Sequence, residues 1–220
     1  MRYFDRRHAG EALATRCLAL ARTGVLADPL VVALVRGGVP VAAEVARALG
    51  APLEVLVARK IGVPGRPEVG VGALVGEEPP VFDAGALAAL GLTAERLSED
   101  VRRERAELRR RQETYRAGRP PLGAADVAGR AVLLVDDGLA TGVTARAALR
   151  FLRGLGPARL VLAVPVGDAA AAAALREEAD HVECLHQPRN FRAVGEWYLD
   201  FDQVQDAEVL SILRGSGTAV

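Results

Sequence analysis

A chain of 220 residues, 50% of them hydrophobic, can fill one large α/β domain or two small ones, which excludes disorder as its main state. Its 28 basic and 28 acidic residues cancel, so no net positive field recruits nucleic acid or an anionic membrane, and any anion site has to be local. Cys17 and Cys184 are too few for a disulfide framework and too far apart for a zinc knuckle, which fits a reducing cytoplasm. Met1 to Arg7 lacks the apolar stretch of a signal peptide, and no apolar run reaches the roughly 20 residues that span a bilayer, so a soluble protein is expected.

Asp5 reads as an N-cap, and residues 6 to 22 read as a helix turning Leu13, Cys17, Leu20 and Ala21 inward. Leu30 to Val35 is a continuous apolar run, the pattern of a parallel strand covered on both faces. Val39 to Leu49 reads as a helix and Leu53 to Ala58 as a second such strand, completing a βαβ unit. Residues 61 to 80 are rich in Gly and Pro and have no helical period, so they read as a loop or irregular hairpin, a candidate lid. From Thr93 to about Ala117 runs a long polar helix with a narrow apolar line of Leu97, Val101, Leu108 and Tyr115. Its many Arg and Glu residues read as a solvated face with some i,i+4 pairs.

A linker at 120–129 leads to the strand Ala131 to Val135, which ends at Asp136-Asp137. A helix over 143–153, a strand from Arg159 to Val166, an Ala-rich helix from Asp168 to Glu178 and a strand from His181 to Leu185 follow. Phe191, Trp197, Tyr198 and Phe201 cluster in the C-terminal stretch and suggest a small cap. The alternation predicts an open, mostly parallel twisted sheet of about five strands with helices on both faces, plus a small C-terminal hood. Such sheets take ligands at the carboxyl ends of their strands, at a switch point.

The strongest chemical signal is Asp136-Asp137-Gly138-Leu139-Ala140-Thr141-Gly142-Val143-Thr144 after the apolar strand. Backbone N–H groups of residues 139–144, the Thr hydroxyls and the positive end of the following helix can hold a dianionic monoester phosphate without a basic side chain. The two carboxylates beside it can accept hydrogen bonds from vicinal sugar hydroxyls, and a pentose 5-phosphate carries both groups at that separation. A second signal is compositional: Lys60 is the single lysine, every other basic residue being arginine. A site that needs a compact, mobile ammonium does not freely accept a planar guanidinium. The scattered His8, His181 and His186 have no ligand-spaced partner, and there is no Ser-His-Asp order, Walker loop or dinucleotide fingerprint.

The stretch from Val132 to Thr144 resembles the phosphoribosyl pyrophosphate signature of type I phosphoribosyltransferases. By that resemblance Asp136 and Asp137 bind the ribose 2- and 3-hydroxyls, and Leu139, Ala140, Thr141, Gly142, Val143 and Thr144 cradle the 5-phosphate. Arg36-Gly37-Gly38, at the end of the first strand, resembles the family's pyrophosphate loop, often built on a cis peptide. Arg59-Lys60 is similar to the Arg-Lys pair that orotate and adenine phosphoribosyltransferases carry before their mobile catalytic loop, which implies that Lys60 and Arg59 stabilise the leaving pyrophosphate. Gly62 to Glu68 then stands where the family has its closing flap. The core resemblance covers about residues 25–185. Nearly the whole chain is similar to a bacterial subgroup sharing Arg59-Lys60-Ile61-Gly62-Val63-Pro64-Gly65 and the segment from Phe191 to Tyr198, and the substrate does not follow from that similarity. Ala140 stands where 6-oxopurine enzymes usually carry an acid, so the loop is closer to that of adenine phosphoribosyltransferases.

The resemblance implies a single domain over 1–220, a core at about 25–185 with a lid or insertion at 61–118, and a hood at about 186–220 to which the N-terminus can contribute. It implies a cytoplasmic transferase moving 5-phosphoribose to a nucleobase-like acceptor. Mg²⁺ would be carried by the substrate near Asp136 and Asp137, with no direct protein ligand. The other reading is a non-catalytic regulator that binds phosphoribosyl pyrophosphate. A diphosphokinase-like relative is the weakest, since no separate ATP site is found. Trp197 or Tyr198 either stacks on the base or packs the hood. No membrane and no nucleic acid is expected as a partner, and a homodimer is compatible with the fold.

Overall fold

The computed structural model describes residues 2–116 and 120–217. Helix α1 (Arg6–Arg22) starts where the Asp5 carboxylate accepts the His8 amide at 2.7 Å, and it buries Ala9, Leu13 and Cys17. Strands β1 (Pro29–Val35), β5 (Ala131–Val135) and β6 (Arg159–Val166) are almost wholly buried, because helices cover both faces of the sheet. Between them lie α2 (Gly38–Leu49), β2 (Leu53–Val63), β3 (Arg66–Val75), β4 (Val81–Phe82), α3 (Ala84–Leu90), α4 (Ser98–Arg116) and the one-turn α5 (Ala124–Val127). The chain continues through α6 (Val143–Gly154), α7 (Ala169–Ala174), β7 (His181–His186) and α8 (Asp206–Gly215). One apolar layer joins α1, α2, α4 and α8 to the sheet, and a second lies under α6 and α7.

The strands form one seven-stranded sheet in the order β4-β3-β2-β1-β5-β6-β7. β2, β1, β5, β6 and β7 are parallel, and β3 and β4 add antiparallel at one edge. The chain leaves β1 in one direction to β2 and returns on the other side as β5, so the switch point lies between β1 and β5. Ala33 pairs with Val135 there, which brings the ends of both strands together.

The expected five or so strands become seven with β3 and β4, and of the two readings of 61–80 the structure shows the irregular hairpin. β2 runs past Ala58 to Val63, turns through Gly65 at φ +76° and returns as β3. Register shifts at Ile61, Gly62 and Val63 break the period-two pattern that would have announced the hairpin. Ile61, Val71 and Leu74 pack in the layer that holds Leu97, Leu108 and Tyr115, while Ala73 and Val75 pack in the layer under α6. The base of the hairpin is therefore part of the sheet. Helix α3, capped by Asp83 and ended by Gly91 in the left-handed region, was not expected either.

Of the apolar line read from the sequence, Leu108 and Tyr115 of α4 and Leu97 in the 3-10 turn before it (Glu95–Leu97) are buried, with Val101 half exposed. The charges of α4 reach further than a solvated face would. Glu104 receives Arg59, Arg105 donates to the carbonyls of Gly76 and Glu78, Arg109 meets Glu77, and the buried Arg116 pairs with Glu54 at 3.0 Å. Only part of the set, such as Arg110 and Arg111 on Glu107, is local. Among the described residues no helix is long and apolar enough to cross a membrane.

Candidate functional site

β5 carries Asp136 and Asp137 just past the last buried residue of the strand. The Asp137 amide donates to Asp136 Oδ1 at 2.9 Å, which folds the first carboxylate back over the turn. Burial, then the charge of Asp137, holds the Asp136 carboxyl well above the usual range. Burial raises Asp137 as well, while the Arg6 guanidinium pulls the other way. Two adjacent recessed carboxyls with one cation between them favour hydroxyl donors or a further cation.

Beyond the acids, the Leu139 amide donates to the Val166 carbonyl at 2.9 Å, and the Leu139 carbonyl accepts the Asp168 amide at 2.8 Å. The Leu139 amide is thus tied into the β6 end and is withdrawn from the expected cradle, which starts after it. Gly142, at φ +77°, turns the chain into α6 with no side-chain cap, and the first helical bond, Arg146 to the Gly142 carbonyl at 2.8 Å, leaves the earlier amides ahead of the ladder. Thr141 is exposed and Thr144 half-buried beside them, and Ala140 is exposed. An uncapped N-terminus of this kind attracts an anion.

Across the switch point, the peptide between Val35 and Arg36 is cis and Gly37-Gly38 opens α2. The two glycines lie directly on the acids. A Cβ built on Gly37 would overlap the Asp137 carboxylate, and one on Gly38 would stand 2.7 Å from the Val135 carbonyl and 3.0 Å from Asp136 Cα. Gly138 is as tight on its other side, where a Cβ would enter Val194 of the hood. The Arg36 side chain turns toward α8: its Nη1 lies 3.3 Å from Asp206 Oδ1, which also accepts the Tyr115 hydroxyl at 2.5 Å.

Arg59 and Lys60 follow on β2 at the root of the hairpin. Arg59 is clamped to Glu104 by bonds of 2.9 and 2.6 Å, whereas Lys60 is exposed with its stem along Gly70. Both line a cleft of about 610 Å³ with Gly62, Pro64 and Arg103, between the hairpin and α4. Asp136 and Asp137 are not among its walls.

The hood closes the site from above. Tyr198 is buried, its ring stacked on Phe201 at 4.8 Å and its hydroxyl donating to the Asp137 carbonyl at 2.5 Å. The structure gives Tyr198 the packing half of the expectation. Trp197 is half-buried against His186 at 4.8 Å, and its Nε1 has no hydrogen-bond partner among the described residues. Tyr3 pairs with Tyr198, which brings the N-terminal segment against residues 191–201. Sequence reasoning missed Arg6, whose Nε donates to Asp137 Oδ2 at 2.8 Å, and also missed Glu104 and Asp206. Their partners are remote in the chain, and no local spacing signals them.

An open parallel sheet with twin acids and an uncapped helix on one side of the switch point, and a glycine turn on the other, is an α/β domain suited to an anionic ligand. The chain matches the family model of the phosphoribosyl transferase domain over residues 10–202 and belongs to that family. It is 42% identical over 209 residues to Mycobacterium tuberculosis proteins provisionally named phosphoribosyl transferases, covering 95% of this chain and 46% of theirs. The chain therefore spans about half the length of the curated relatives it matches. A Thermus thermophilus protein of known crystal structure is 45% identical, with 97% of this chain and 98% of that chain covered and a TM-score of 0.76. An Aquifex aeolicus structure, 10% identical with a TM-score of 0.54 over 86% of this chain and 78% of that one, shares the fold.

Proposed function

We propose that this chain transfers 5-phosphoribose from phosphoribosyl pyrophosphate to a nitrogenous, nucleobase-like acceptor. The bond between the anomeric carbon and the diphosphate oxygen breaks, the acceptor nitrogen bonds to that carbon and loses its proton, and pyrophosphate leaves. The observation that carries the reading is the uncapped start of α6 directly after two recessed acids packed on Gly37-Gly38. Ala140, Thr141, Gly142, Val143 and Thr144 hold the 5-phosphate by amides, hydroxyls and the helix dipole. Asp136 and Asp137 accept the ribose hydroxyls, and Gly37 and Gly38 admit the diphosphate against backbone amides. Arg59 and Lys60 face the leaving group from the hairpin root, and the hairpin tip would cover the site against water. Arg36 assists once the diphosphate competes with Asp206 for it.

Two adjacent acids, with Arg6 bonded to one oxygen of Asp137, also suit the neighbourhood of Mg²⁺, a hard cation with oxygen ligands that the substrate would carry. Bound beside them through the substrate's oxygens, the ion would neutralise the charge that develops on the leaving diphosphate. The exposed loop and half-buried Trp197 leave the base to be recognised by the hood, and the amino acid at 140 offers no acid to a purine ring.

Calorimetric titration with phosphoribosyl pyrophosphate and Mg²⁺, followed by a base panel scored for pyrophosphate release, tests the reading. Binding with release for one base is expected, and binding with no release from any base would favour the regulator instead. Asp137→Asn should weaken ligand binding roughly 10- to 100-fold, because it removes one charged hydrogen-bond acceptor. Wild-type affinity in that variant would remove Asp137 from the ribose site.

A further inference from the structure

Asp137 is gripped at both ends by parts of the chain far from it in sequence. Its carboxylate receives Arg6 from the first turn of α1, and its carbonyl receives Tyr198 from the hood. Arg6 itself is fixed three ways: Nε to Asp137 Oδ2 at 2.8 Å, Nη1 to the Asp202 carbonyl at 2.7 Å, and Cζ 3.8 Å from the centroid of the Phe201 ring. Its side chain is only 11% exposed. Phe201 in turn stacks on Tyr198, so one assembly holds both the side chain and the main chain of the same acid.

The structure assigns Arg6 a role as a positioning residue: it occupies Oδ2 of Asp137 and orients the carboxylate so that Oδ1 is presented to a sugar hydroxyl. This rests on the ribose-binding reading of Asp137 given above. Oδ2, the oxygen that Arg6 holds, is also the one turned to Gly37, whose lack of a side chain leaves room for it but supplies no side-chain hydrogen bond. A guanidinium braced on a ring and a carbonyl supplies the missing directional restraint, which a mobile lysine would supply less well.

The full chain serves as the test, with phosphoribosyl pyrophosphate plus Mg²⁺ as probe and both calorimetry and steady-state pyrophosphate release as readouts. Arg6→Ala should raise Kd and KM for this substrate roughly tenfold, the loss of one charge-assisted orienting contact, and change kcat little, because the ribose contact is shared by ground and transition states. Phe201→Leu, which removes the ring beneath the Arg6 guanidinium but none of its hydrogen-bond partners, should raise Kd about two- to threefold through the lost brace. In an Asp137→Asn background, Arg6→Ala should add nothing to the loss of affinity, since both act through one carboxylate. Unchanged affinity in Arg6→Ala with a lowered Tm would make Arg6 a tie between chain ends and overturn the assignment. Tighter binding would overturn it too, by showing that Arg6 competes with the sugar. Should Arg6→Ala fail to fold, Arg6→Lys and Phe201→Leu carry the same comparison, and wild-type Kd in both would refute it. If the wild-type chain takes up no phosphoribosyl pyrophosphate, the functional reading fails first and this role falls with it, whereas uptake by wild type with indifference in the variants sinks the role alone.

Discussion

Gly37→Ala is expected to abolish measurable binding of phosphoribosyl pyrophosphate while leaving a folded protein. Gly37 has φ −57° and ψ −35°, a conformation alanine adopts freely, so the backbone opposes nothing. The whole cost arises where the new methyl would overlap the Asp137 carboxylate. That carboxylate is held by Arg6 and its carbonyl by Tyr198, so it can yield only by breaking those bonds. Overpacking of this kind costs about 1–3 kcal/mol, and the relaxation that relieves it moves the oxygens we propose for the sugar hydroxyls. The signature is non-additive. Asp137→Ala in the Gly37→Ala background should recover the lost stability but none of the affinity. Gly50→Ala provides the contrast: at φ +61° with open space around it, it should cost roughly 1 kcal/mol and leave binding intact. Gly37→Ala with wild-type affinity and Tm would show that the glycine turn and the acids do not share a site.

The central sheet was legible because β1, β5 and β6 are covered on both faces and so appear as unbroken apolar runs, and because Asp5 and Asp168 sit where helix caps are needed. The acid-tipped strand and glycine-rich helix start could be read from adjacent residues for the same reason: the geometry there is local. The β2–β3 hairpin could be read only as one of two alternatives, since Gly62, Gly70 and Gly72 sit where bulges and a close approach to Phe82 interrupt the alternation. The bond from the Leu139 amide to the end of β6 was not legible either, because its partner is remote in the chain. Arg6 lay beyond sequence reasoning altogether. In a chain whose basic residues are nearly all arginine, nothing local separates the one that meets Asp137 from its neighbour Arg7, which is exposed.

Lys60→Ala should lower turnover by roughly 10²-fold or more, the scale seen when one group that stabilises developing charge is removed, with affinity for phosphoribosyl pyrophosphate weakened only a few fold. The neighbouring cation explains why the effect falls on Lys60. Arg59 lines the same cleft but is committed to Glu104 by two short bonds, so it is less able to follow a leaving group. Lys60 is exposed and its stem runs along Gly70, where any Cβ would stand 2.7 Å from its Cδ. Gly70 thus leaves the room that the Lys60 stem occupies. Stability should change by less than about 0.5 kcal/mol, because an exposed side chain is removed, and an unaltered Tm would isolate the chemical step. Lys60→Arg should recover less than a tenth of the lost rate, since a wider planar head cannot follow the same path beside Gly70. Burst and steady-state measurements of pyrophosphate release, with the acceptor found in the base panel, separate this from slower product release. Wild-type kcat in Lys60→Ala would place the leaving-group charge elsewhere, with Arg36 freed from Asp206 as the cation next in line on the diphosphate side.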